Sequence, residues 1–288
     1  MPDSLRTALL NTSPTAMLSA LPRCASPLCP RPPSLWQRWW ARNEGTWLEE
    51  NWYCSSDCFY CALVRRLENV GARKPRHTPR LNRLPLGLIL LSQGEITPEQ
   101  LHLALEKQRS AGSGRIGAWL VTMGAISEGQ VTNALALQQG CPAFSPSEPQ
   151  ELPGAMHWPQ PLTEIHRAVP VFYNSAQSAL FVGFLEGVDH AFLQAVERML
   201  QCRADPCIVP STVFRHNLER QAALDRSETI VIHQRQTTLE IAQVIDDYAQ
   251  QVHAQRCRLT LCSGLLWVRL RCASGLHVDF LFRAPAGC

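Results

Sequence analysis

Two close pairs of cysteines stand near the start of the chain. Cys24-x4-Cys29 and Cys54-x3-Cys58 are separated by 24 intervening residues. Four thiolates on two separate knuckles can close a tetrahedral zinc site. Cys61 offers a substitute for Cys58 as the fourth ligand. The competing reading is a set of buried thiols in a small core with Trp36, Trp39, Trp47 and Trp52. A unit confined to residues 24–68 has too little apolar material to stand alone comfortably, and a bound metal is a common remedy. The sequence therefore predicts one zinc held by Cys24, Cys29, Cys54 and Cys58. Cys202, Cys207, Cys257, Cys262 and Cys272 lie on or beside strand patterns and read as ordinary interior thiols.

Phosphate-transfer chemistry of the P-loop kind is missing. A P-loop needs Gly-Lys-Ser/Thr, so that an ammonium can reach the phosphates from a glycine-rich loop. The only lysines are Lys74 and Lys107; neither follows a Gly or precedes Ser or Thr. Neither G-x-S-x-G nor H-E-x-x-H occurs. A G-x-G-x-x-G does occur at Gly112, Gly114 and Gly117. It follows a predicted helix rather than a strand, so it reads as a turn and not as a dinucleotide site. The histidines are scattered. No catalytic centre is assigned, and the chain is expected not to be an enzyme.

The remaining chemistry-bearing residues sit in an internal repeat. Residues 85–108 and 115–138 match without gaps at a fixed offset, with identity at Gly87/Gly117, Leu90/Leu120, Gly94/Gly124, Ile96/Ile126, Gln100/Gln130, Ala104/Ala134, Leu105/Leu135 and Gln108/Gln138. Each copy makes sense as a helical hairpin. Gly94 and Gly124 end the first helix, where a positive φ is wanted. Thr97 and Ser127 sit as N-caps of the second, each with Gln at the capping-box spacing, and Pro98 occupies the first helical position. Gly87/Gly117 and Gln108/Gln138 are not required by an apolar stripe. Glycine early in a helix costs about 1 kcal/mol against alanine, so it points to the close approach of some other group.

The pattern RLG-x2-L-x3-G-x-I-x4-L-x2-AL-x2-Q, given twice in tandem, resembles the N-terminal domain of type II secretion and type IV pilus assembly ATPases of the MshEN type. Arg115, Ile116, Gly117, Leu120, Gly124, Ile126, Val131, Ala134, Leu135 and Gln138 all fall on it. The first copy matches except that Pro85 stands where the Arg is expected, and the spacer Arg109–Gly114 is one residue longer than expected. Members of that family bind cyclic di-GMP. The resemblance implies one half-site on Leu86, Gly87, Leu101, Leu105 and Gln108. It implies a second on Arg115, Ile116, Gly117, Val131, Leu135 and Gln138. Separately, Trp52–Phe59 resembles the second knuckle of small treble-clef-like zinc fingers, in which a helix starts at the second cysteine pair.

The expected fold class is α+β and multidomain. A four-helix tandem repeat is followed by small α/β units and preceded by a Cys-rich, zinc-finger-like module. The boundaries read as a tail at 1–23, the Cys/Trp unit at 24–68, a basic linker at 69–83 and a secretion-ATPase-like domain at 84–224. That domain comprises the repeat at 84–140, a Pro-rich linker at 141–161 and an α/β part at 162–224. A last unit, one helix with a three-stranded meander, is expected at 228–288. The chain is 45% hydrophobic and 18% charged, which allows real cores. Its net charge of +3 is too small for a general nucleic-acid binder, although Arg65, Arg66, Arg73, Lys74, Arg76, Arg80 and Arg83 form a basic stretch. No run is long and apolar enough to span a membrane, and a cytoplasmic location is the expectation. The leading expectation is a non-enzymatic regulatory module that binds cyclic di-GMP and acts on secretion or pilus machinery. The alternative is a protein–protein adaptor that keeps this fold without binding nucleotide.

Overall fold

The structure is a computed structural model that describes residues 22–30, 45–71, 83–144, 152–223 and 228–284. Trp36, Trp39, Arg73, Lys74, Arg76, Arg80, most of the expected tail and part of the Pro-rich linker lie outside the described residues. The chain divides into two compact units, one joining residues 1–74 to 227–288 and the other running through 75–226. Chain order begins with β1 (Thr46–Leu48), β2 (Asn51–Tyr53) and α1 (Ser56–Gly71). The second unit contains α2 (Leu86–Ser92), α3 (Pro98–Ala111), α4 (Ile116–Thr122), α5 (Glu128–Gln139), α6 (Gln160–His166), β3 (Ala168–Asn174), β4 (Ala179–Phe184), α7 (His190–Leu200), β5 (Arg203–Ile208) and α8 (Ser211–Ala223). The chain then returns to the first unit with β6 (Glu228–Ile232), α9 (Thr238–Gln251), β7 (Ala254–Cys262), β8 (Leu265–Cys272) and β9 (His277–Arg283).

The first unit is one six-stranded sheet in the order β2-β1-β7-β8-β9-β6, with α1 and α9 packed on it. Phe59, Leu63, Leu67 and Val70 recur every three or four residues along α1 and are buried. Ile241, Ile245 and Ala249 do the same on α9, which starts at a Thr237–Glu240 capping box. These helices cover Leu259, Leu266, Val268, Leu270, Phe280 and Phe282 of the sheet. β8 is buried on both faces, because Trp267 and Arg269, which alternate with that apolar set, are buried too. Arg269 lies directly opposite Asp279 of β9. The Asp279 carboxylate accepts from Trp267 Nε1 at 2.8 Å and from Arg269 Nε and Nη2 at 2.8 and 2.7 Å. Three donors on one carboxylate are what allow that charge pair to be buried.

This arrangement corrects the boundaries read from the sequence. The Cys/Trp segment and the C-terminal segment, drawn there as separate units, share one sheet. β1 runs parallel to β7 with Leu48 paired to Cys257, and β6 runs parallel to β9 with Ile230 paired to Phe280. The meander accordingly lies under two helices rather than one. Its strands turn at Ser263-Gly264 and Ser274-Gly275, with positive φ at Ser263, Gly264 and Gly275.

The second unit opens with the repeat as four helices. Gly94 and Gly124 carry φ of 71° and 69°, and both capping boxes form, at Thr97–Gln100 and Ser127–Gln130. Ile89, Leu90, Ala104, Leu120 and Ala134 fill the space between the helices. A three-stranded sheet β3-β4-β5 follows, with β3 antiparallel to β4 and β4 parallel to β5. α7 connects the parallel pair, and Asp189 caps it by accepting from Ala191 N and Phe192 N, both at 3.0 Å.

Candidate functional site

In the first unit the four predicted cysteines meet. The Sγ atoms of Cys24, Cys29, Cys54 and Cys58 all lie within 4.8 Å of one another, with Cys29 and Cys54 at 3.5 Å. Ligands about 2.3 Å from one tetrahedral ion stand roughly 3.8 Å apart, so the cluster has the size that such an ion requires. Each pair is positioned by its own local structure. The turn at 24–29 closes with Cys29 N on Ser26 O and docks with Ala25 N on Trp52 O at 2.9 Å. Cys54 directly follows β2, and Cys58 sits in the first turn of α1, where its N–H reaches Ser55 Oγ at 3.4 Å. Burial pushes the Cys54 thiol up to about 12, and hydrogen bonds with Cys29 and Cys24 add to this. A divalent cation reverses that preference, because it binds thiolates. Cys61 is exposed on α1 and outside the cluster, so Cys58 is the fourth member.

In the second unit the repeat builds one wall of a groove of about 990 Å³. Leu86, Ile116, Gly117, Val131 and Leu135 give it an apolar surface, and Gln108, Arg115 and Gln138 stand on it. Gly87, Leu101 and Leu105 do not line it. The other wall is the α/β part, through Arg167, Leu185, Glu186, Val209, Pro210 and Ser211. Leu185 follows β4 and Val209 follows β5, so the groove lies at the carboxyl ends of two adjacent parallel strands. That is where open α/β sheets commonly bind ligands. No sequence signal marked this second wall, since it carries no repeat and no motif.

The repeat geometry also accounts for the residues that an apolar stripe leaves unexplained. A Cβ on Gly87 would stand 2.7 Å from Leu101 Cδ1, and one on Gly117 would stand 2.9 Å from Val131 Cγ1. The group approaching each glycine is therefore the second helix of its own hairpin. Gln108 Nε2 donates to Gly114 O at 2.8 Å, and Gln138 Nε2 donates to Leu84 O at 2.6 Å. Donors and acceptors obey the same sequence offset, so each glutamine ties down the entry to the first helix of the other copy. Arg115 caps α4 and forms an ion pair with Glu186 from the facing wall. Glu128, at the start of α5, accepts from Ser211 N at 2.6 Å, from Ser211 Oγ, and from Thr212 Oγ1 at 3.2 Å. Burial works against its charge, but these donors hold the Glu128 carboxyl below its ordinary range. Arg167 has φ of 50°, and its guanidinium lies 5.6 Å from the centroid of the Phe214 ring.

No family model matches the chain. Over 139 residues it is 35% identical to the Type IV pilus assembly ATPase PilB of Myxococcus xanthus (strain DK1622), an alignment covering 48% of this chain and 24% of that protein. The chain thus spans about a quarter of the length of this curated relative. Among solved structures, MshE with cdg aligns over 48% of this chain and 99% of its own, with 22% identity and a TM-score of 0.39. The N-terminal domain of XpsE aligns over 46% and 90%, with 18% identity and a TM-score of 0.29. Over about half of its length, which includes the doubled hairpin, this chain is therefore similar to part of a type IV pilus assembly ATPase.

Proposed function

We propose that residues 75–226 form a non-enzymatic, regulatory cyclic di-GMP-binding module that acts on type II secretion or type IV pilus machinery. The observation that carries this reading is the groove. Arg115, Gln108 and Gln138 stand on its repeat wall beside Leu86, Ile116, Val131 and Leu135. Leucine, isoleucine and valine side chains suit the faces of guanine, an Arg guanidinium can stack on a base or pair with a phosphate, and glutamine amides suit polar base edges. Calorimetric titration of the full chain with cyclic di-GMP tests it. The wild type is expected to bind. Arg115→Ala removes one charge-assisted contact worth about 1.5–3 kcal/mol and is expected to weaken binding roughly ten- to a hundredfold. No heat from the wild type at high ligand concentration rejects the reading.

A second reading is favoured by one specific observation. Gly87 and Gly117 pack on Leu101 and Val131, and Gln108 and Gln138 bond backbone carbonyls, so all four have uses within the fold alone. On this reading the unit is a protein–protein adaptor without a nucleotide, and the same titration separates the two. For the first unit, the proposal is a structural zinc ion on Cys24, Cys29, Cys54 and Cys58.

A further inference from the structure

Four charged side chains line the groove: Arg115, Glu128, Arg167 and Glu186. Three of them are engaged with protein groups of complementary charge or polarity. Arg115 is ion-paired with Glu186, and Glu128 takes hydrogen bonds from Ser211 and Thr212. Arg167 is different. Among the described residues it forms no ion pair; its guanidinium lies against the Phe214 ring. Its guanidinium is therefore the uncompensated cation of the groove. The backbone that carries it is also fixed. Arg167 caps α6 with a left-handed backbone, and its carbonyl accepts Leu185 N at 3.0 Å across the start of the β3–β4 ladder. The Phe214 ring lies beside the guanidinium, and a guanidinium with no carboxylate partner can offer its N–H fork to a bidentate acceptor.

The geometry points to Arg167 as a phosphate-holding residue of this groove, on the wall opposite the repeat. The inference rests on the cyclic dinucleotide reading and deepens it. The repeat supplies an arginine at only one of its two equivalent positions, since Pro85 occupies the other and offers neither charge nor N–H. A ligand with two phosphodiesters then meets Arg115 from the repeat and Arg167 from the α/β part, rather than two matched arginines of the repeat. One consequence is that the ligand lies across the groove between the two walls and not across the first hairpin. Gly87, Leu101 and Leu105, which do not line the groove, would make no contact with it.

Calorimetry of the full chain with cyclic di-GMP tests this, comparing wild type, Arg115→Ala and Arg167→Gln at two sodium chloride concentrations. Glutamine keeps a planar polar side chain that can lie near Phe214 and removes the charge and the bidentate N–H fork. Arg167→Gln is expected to weaken binding about tenfold and to make the affinity less dependent on salt. If wild type binds, Arg115→Ala weakens it and Arg167→Gln binds like wild type, the second wall is not a phosphate site and the inference alone falls. A wild-type affinity indifferent to salt overturns it without any variant. If wild type gives no heat at all, the cyclic dinucleotide reading itself fails, and the inference falls with it.

Discussion

Asp246 is a carboxylate that the fold buries without fully satisfying. It is 5% exposed on α9. One oxygen accepts from Gln250 Nε2 at 2.8 Å and from Ser56 Oγ at 3.4 Å, and the other has no hydrogen-bond partner among the described residues. Asp279 shows the contrast, because three donors surround it, two of them from an arginine. Burial raises the Asp246 carboxyl above its usual range, the two hydrogen bonds oppose this, and nearby Asp247 and Asp57 raise it further. The folded protein therefore binds the Asp246 proton more tightly than the unfolded chain does. Stability falls as pH climbs from the unfolded value of about 3.9 through the raised folded value, and the loss is complete above it. Asp246→Asn removes that loss. It is expected to raise the melting temperature by roughly 2–4 °C at pH 7, with the gain closing as the pH is lowered toward about 4. Thermal melts of the two proteins across this range check it, and a variant that is less stable at neutral pH would contradict it.

At the scale of elements, Glu128 joins two helices that are far apart in the chain. It opens α5 and takes the Ser211 backbone N–H at the start of α8, a role usually filled by a side chain just ahead of the helix. Its depressed pKa means the stabilisation is present above the unfolded value of about 4.3 and is lost as pH falls through the folded value. Glu128→Ala is expected to cost about 1 kcal/mol at pH 7 and almost nothing in acid, with faster amide exchange at the start of α8. Urea unfolding at both pH values and hydrogen exchange at Ser211–Phe214 measure this. A sequence shows Glu128 only as a favourable first-turn acid, because its partner is a long-range one. The same distinction runs through the fold. Helix caps at Thr97 and Ser127 and the turns at Gly94 and Gly124 are local chemistry and could be read directly. β1, β2 and β6 could not: they are three to five residues long, and pairing makes them strands, β1 with β7, β2 with β1 and β6 with β9. At the candidate site, the repeat was legible through its periodicity, and the residues expected on it came from the family resemblance. The wall carrying Arg167 and Glu186 was not, since nothing local announces which strand ends face a helix.

At the scale of the whole molecule, the cysteine cluster belongs to a unit assembled from two distant stretches of chain. Residues 75–226 form the other unit, between the two parts of the first sheet in sequence. Trp47 and Leu48 can pair with Arg256 and Cys257 only if the N-terminal hairpin is held in shape, because β1 and β2 are three residues each and a hairpin that short is not stable alone. A metal on Cys24, Cys29, Cys54 and Cys58 would supply that hold, since it clamps the turn at 24–29 to the end of β2 and the first turn of α1. Four neutral thiols offer only weak contacts in its place. The purified chain is therefore expected to carry about one zinc by elemental analysis. Because the chain has two compact units, stripping the metal should act on one of them. A chelator at neutral pH is expected to lower the melting of the unit containing Trp47 and Trp52 by on the order of 10 °C or more, and to leave the melting of the repeat-containing unit where it was. Cys54→Ser should reproduce the effect without a chelator, and Cys61→Ser should not, because Cys61 lies outside the cluster. Calorimetric scans of these three samples beside wild type decide it. Metal-free protein that melts identically to the metal-loaded form would show that the four sulfurs meet only as packed thiols.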